Sequence, residues 1–177
     1  MTEQYSGETL KDYITGNIVA NIGAEINRQQ VEKILVEQKG YAPKDIQVDA
    51  PIHLDMGSEQ FDSRLDLVVS VRGWRYMVIK CVPGSIASRE REVIAAARLL
   101  EENFQLPVAA ASDGRSALVW DAANGELLGE GMEAIPSREQ AEASFDPQNL
   151  RPLDITRKWR QQLIFRSYDS HNVHRQK

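Results

Sequence analysis

Two apolar runs separated by three residues constrain this chain most. Arg64-Leu65-Asp66-Leu67-Val68-Val69-Ser70-Val71 and Arg75-Tyr76-Met77-Val78-Ile79-Lys80-Cys81 flank Arg72-Gly73-Trp74. A glycine-centred link this short predicts a β-hairpin. With the three residues as the loop, Val71 pairs with Arg75, and counting outward sets Asp66 opposite Lys80. Strand side chains alternate, so Asp66, Val68, Ser70, Tyr76, Val78 and Lys80 are expected on one face. The residues between the two charges are mainly apolar, as in strands covered on both sides.

Burying either charge is costly unless it is paired or used. A cross-strand ion pair is one explanation. The other is a metal-dependent phosphodiesterase, in which a carboxylate holds a divalent cation, a second carboxylate stands beside it, and a lysine lies near the attacking water. The second acid would sit two residues before Lys80, on the same face, and that position is Val78. The acid pattern is half present.

The chain of 177 residues fits one domain with a real core. No run approaches a membrane span and no signal peptide opens the chain, so a cytoplasmic protein without membrane contact is expected. The single cysteine, Cys81, excludes an internal disulfide and reads as a buried small hydrophobe. Residues 151–177 carry seven basic side chains against Asp154 and Asp169, a net +5. The total of −5 therefore leaves −10 on residues 1–150. Such an acidic body argues against a broad phosphate-binding surface, because that affinity scales with basic contacts.

The order expected is α-β-β-β-α-β followed by further strands. A polar leader and helix start occupy residues 1–16. A helical pattern runs from about Lys11 to Lys39 through Ile14, Ile18, Ile22, Ile26, Ile34 and Leu35, with Gly23 as a potential break and Gly40 as the stop. Ile46 to Leu54 alternates as a strand, and Pro51 suggests an edge or a bend. After the hairpin, a helix from about Ala87 to Asn103 leads to the small-residue strand Pro107–Ala111. Asp113-Gly114 and Asn124-Gly125 then turn the chain into two more strands. The main domain is placed at 17–135 and a linker at 136–153. A basic amphipathic tail follows at 154–177, whose stripe of Ile155, Trp159 and Leu163 is expected to dock on the body or on a second copy in a homodimer.

A helix with Glu25, a strand with Asp66, a hairpin to Val78-Ile79-Lys80, a helix, and Ala111-Ser112-Asp113-Gly114 before Ala117-Leu118-Val119-Trp120-Asp121 follow one another. Over roughly residues 17–130 this order resembles the N-terminal nuclease-like domain of type I restriction enzyme R subunits, within the PD-(D/E)xK, restriction-endonuclease-like superfamily. The resemblance implies an α/β restriction-endonuclease-like core, a mixed sheet flanked by helices. It also implies a site of Asp66, Lys80 and Glu25, with Asp66 and Glu25 holding Mg²⁺. Val78 stands where the family has a glutamate, and Ser112-Asp113-Gly114 approximates its Thr-Asn-Gly-like turn.

Members of the superfamily also draw an acid from the neighbouring helix, which makes Glu90 and Glu92 candidates; the ordinary reading of such charges is a solvated first helical turn. His53 is isolated, and His171-x-x-His174 lies in a polar terminus with weak metal-binding potential. The expected function is a degenerate nuclease serving as a nucleic-acid-binding or assembly module. The alternative is an active Mg²⁺-dependent DNA nuclease using Asp66, Lys80 and Glu25.

Overall fold

The computed structural model describes residues 8–169. The extreme termini, including residues 1–7 of the leader and His171 and His174, lie outside the described residues. A six-stranded mixed sheet runs in chain order: β3 (Ile46–Asp55), β4 (Gln60–Val71), β5 (Trp74–Cys81), β6 (Val108–Ser112), β7 (Ala117–Asp121) and β8 (Leu127–Glu130). Among the described residues only β5 and β6 pair in parallel, joined through helix α2 (Glu90–Leu99). Helix α1 (Gly23–Glu37) precedes β3, which completes the expected α-β-β-β-α-β order.

The start of the chain departs from expectation. Instead of a helix from Lys11, a small hairpin of β1 (Thr9–Lys11) and β2 (Ile18–Ala20) comes first, and Gly23 begins the helix rather than breaking it. Ile18 and Ile26 are largely exposed. The buried side of α1 is Glu25, Arg28, Gln29, Val31, Glu32, Ile34 and Leu35. Four of these seven are polar, so the apolar period that suggested a long helix followed the wrong face.

Two apolar layers sandwich the sheet. On one face Leu67, Val69, Met77, Ile79 and Cys81 meet Val31 and Leu35 of α1. On the other, Val68, Val78, Ala109 and Ala111 meet Val93 to Ala97 of α2 and Phe165 of helix α4 (Ile155–Asp169). Alanines on both α2 and β6 let the helix lie close to the sheet.

The stretch expected as a linker belongs to the body. It contains α3 (Arg138–Ser144), started by a capping box between Ser137 and Gln140, and it buries Ala141 and Phe145. Phe145 packs edge-on against Tyr76, with ring centroids 5.5 Å apart. Of the two expected partners for the apolar stripe of helix α4, the body is not the one it meets. Gln161, Gln162 and Phe165 face the body, whereas Ile155, Trp159 and Leu163 remain 76%, 54% and 44% exposed. Among the described residues, no helix is long and apolar enough to cross a membrane.

Candidate functional site

The hairpin reaches its expected register by another route. Its loop is Arg72-Gly73 alone, both at positive φ (51° and 81°), as a two-residue type I′ turn requires. Val71 therefore pairs with Trp74 and Ser70 with Arg75. A bulge then shifts the ladder, so that Val69 meets Met77 and Leu67 meets Ile79. Continuing outward sets Asp66 against Lys80, as counted from the sequence. Tyr76 is the extra residue, and it lies on the α1 face with Met77 rather than beside Asp66.

Asp66 and Lys80 do meet. Lys80 Nζ is 3.7 Å from Asp66 Oδ2 and 3.4 Å from Glu92 Oε1. The three side chains are 13%, 1% and 5% exposed. The backbone N–H of Cys81 donates to Asp66 Oδ2 at 2.7 Å, and Arg89 Nη1 pairs with Glu92 Oε2 at 3.1 Å. Glu92 comes from the first turn of α2, which the β5–α2 crossover delivers to the C-terminal end of β5. Glu90, the other acidic candidate, points elsewhere and lines a groove between α2 and α4. Around the triad Arg64, Val78, Val93, Ala96 and Phe165 enclose a recess of about 10 Å³, room for about one water. Val78 is part of its apolar wall.

Glu25 is not among the residues lining this recess. It pairs with Arg28, three residues on along α1. Arg28 also meets Asp12 and Asp49 at 3.0 Å each and Glu32 at 3.5 Å. Among the described residues Asp49 is, with Arg72, one of two non-glycine residues at positive φ (52°), and the β3–β4 register sets it across from Asp66, at a position the ladder skips. Burial, reinforced by the neighbouring Asp12 charge, pushes Glu32 up to about 8. The sequence signal for this cluster is that Glu25, Arg28 and Glu32 share one helical side by their spacing. The two clusters meet around Cys81. Burial pushes its thiol up to about 12, while Arg28, Lys80, Glu32 and Glu25 all act on it electrostatically.

The turn after β6 lies at the same end of the sheet. Cys81 pairs with Ser112, and Val82 N–H donates to the Ser112 carbonyl. Ser112 Oγ accepts from Gly114 N–H at 3.0 Å. Gly114 has φ 86°, and a Cβ there would come within 3.3 Å of the α1 backbone at Asn27. Glycine is required both for the conformation and for the close approach.

Mg²⁺ fits the recess poorly. Lys80 and Arg89 together already balance Asp66 and Glu92, and about 10 Å³ leaves no room for the waters this ion retains. Among the described residues no three His, Cys, Asp or Glu side chains converge as a metal site.

No curated protein matches this chain, and neither does any solved structure. A family model does match, over residues 23–136, which run from the first residue of α1 to just past β8 and hold Glu25, Asp66, Lys80 and Glu92. The chain belongs to the family described as type I restriction enzyme R protein N terminus.

Proposed function

We propose that this protein is a non-cleaving member of its family, a restriction-endonuclease-like domain used for binding or assembly. The observation that carries this reading is the closed triad. The lysine that would serve a phosphodiester is held between Asp66 and Glu92, beneath Phe165, with Val78 in the position of the missing acid. An ammonium held by two carboxylates in a nearly waterless recess stabilises the strand end but is withheld from a scissile phosphate. Plasmid DNA incubated with purified protein and Mg²⁺ or Mn²⁺ should stay intact. Cleavage that disappears in Asp66→Asn and Lys80→Met would overturn this reading.

One observation favours the active alternative. Glu92 restores a second carboxylate beside Asp66 despite Val78. In that reading α4 withdraws Phe165, Asp66 and Glu92 are the carboxylates that would hold Mg²⁺, DNA is the substrate, and Glu92→Gln abolishes cleavage. The assembly reading includes a homodimer in a cytoplasmic setting. The exposed Ile155, Trp159 and Leu163 stripe lies on a helix bearing Arg157, Lys158, Arg160 and Arg166, complementary to the acidic body of a second copy. Sedimentation should show a dimer that Trp159→Ser weakens.

A further inference from the structure

The groove between α2 and α4 has a charge pattern opposite to that of the molecule. Its volume is about 550 Å³, within the range of small-ligand clefts. Arg91 and Arg98 from α2 and Arg157 and Arg160 from α4 line it, with Ile94 and Ile164 as apolar surface and Glu90 as the one carboxylate in the lining. Among the described residues none of the four arginines has a carboxylate within 4 Å, and what sets them apart from other such arginines is that they converge on one groove.

Arg98 makes the groove more than a patch of surface charge. It is 8% exposed. Its guanidinium donates to the carbonyls of Ala122 (2.6 Å) and Ala123 (3.2 Å) and to Gln161 Oε1 (3.2 Å), all neutral acceptors. These bonds fix the fork between the β7–β8 turn and α4. Burial and the nearby Arg157 charge lower its pKa, with only Asp121 opposing them. A buried cation without a direct counter-charge is costly, as is a second cation facing it. An anion entering the groove supplies what the chain does not.

We propose that the α2–α4 groove binds a phosphate-bearing ligand, with Arg98 fixed at its base and Arg91, Arg157 and Arg160 closing around the phosphate oxygens. Planar guanidinium forks suit phosphate oxygens pairwise, and several arginines on one cleft fit adjacent phosphates better than a lone carboxylate. The sources sharing this chemistry are a free nucleoside triphosphate and the backbone of a nucleic-acid strand. The groove shares no lining residue with the Asp66 recess, so the inference does not depend on whether the domain cleaves.

Binding of ATP and of a 5′-phosphorylated 15-nucleotide single strand to the full chain, measured in EDTA, tests it without engaging metal chemistry. Arg91→Gln, Arg157→Gln and Arg160→Gln alter exposed side chains, and each should weaken binding about tenfold, with the triple variant losing at least about 100-fold. The triple variant should also flatten the salt dependence of strand binding, by about 2 in the logarithmic slope. Arg115→Gln and Arg151→Gln, elsewhere on the surface, should bind as the native chain does. Strand binding displaced by ATP supports the proposal with the triphosphate as ligand. Strand binding that ATP leaves intact supports it with the backbone as ligand. Absence of binding to either probe, or a triple variant within threefold of the native protein, would overturn it.

Discussion

Arg28 and Lys80 each gather carboxylates at the same end of one sheet, on opposite faces, and the two clusters differ in what they can do. Arg28 contacts four acids from three places: Asp12 before α1, Glu25 and Glu32 on it, and Asp49 on β3. Its rigid fork reaches several of them at once and ties the N-terminal segment to the helix and the sheet. Asp12 extends this tie through Gln29 Nε2 and the backbone N–H of Thr15. Lys80 pairs with Asp66 and Glu92, each with a further donor of its own, the Cys81 N–H for Asp66 and Arg89 for Glu92. A cation surrounded by excess acid is a structural clamp. A cation balanced by independently supported acids can be removed while its surroundings persist, which is what a functional position requires.

The contrast is sharpest in stability. Arg28→Met should cost about 3–5 kcal/mol, because the buried carboxylates of Asp12 and Glu25 lose the guanidinium that pairs with them. Lys80→Met should cost about 1–2 kcal/mol, since Asp66 and Glu92 keep their other donors. Urea denaturation of both variants gives the comparison directly, and equal losses would erase the distinction.

A pH titration separates the clusters next. Glu32 holds its proton to about pH 8 when folded and releases it near 4.5 when unfolded. Between these values the folded chain binds more protons, so the contribution of Glu32 is complete below pH 4.5, declines as pH rises and is lost above pH 8. Glu32→Gln should remove this decline, on the order of 3 kcal/mol between pH 5 and 9. Lys80→Met should leave the decline in place.

A smaller effect is expected at the cover of the recess. Phe165 also stacks edge-on with Phe61, at 6.5 Å between centroids, so Phe165→Leu should cost about 1 kcal/mol. The variant should admit water to the Asp66–Lys80 recess without disturbing the Arg28 cluster, and solvent exchange at Cys81 N–H reports on this. The smallest effect belongs to Leu163→Ser on the outer side of α4, within about 0.5 kcal/mol for the monomer.

Much of the fold was legible because β4, β5, α2 and β6 carry long apolar runs whose period is unambiguous. The Asp66–Lys80 pairing followed from counting through a three-residue loop, which the two-residue turn and the bulge together reproduce. The Arg28 cluster was not legible, because a buried charged face cancels the periodicity that marks a helix side as inward. Glu92 was one of two acids in a polar helical turn, and sequence spacing cannot say which of Glu90 and Glu92 faces the sheet. The region around α3 was misread because three prolines dominate its composition, while the burial of Phe145 against Tyr76 depends on contacts about 70 residues apart in the chain. Helix α4 misled for a related reason. Its most apolar stripe is exposed, and two glutamines with Phe165 form the docked side.

The bulge beside Ser70 gives the hairpin a property resembling a reading frame. Between the tip and the bulge, one residue can be gained or lost without changing phase. A chain lacking Tyr76 would still bring Met77 opposite Val69 and Lys80 opposite Asp66, losing the Phe145 contact but not the pairing. Between Met77 and Lys80 no such correction exists. Losing one residue there would carry the lysine through the sheet to the Arg28 side. Length variation in relatives is therefore expected at the tip and absent from the three steps before the lysine, where one missing residue moves the charge from one cluster to the other.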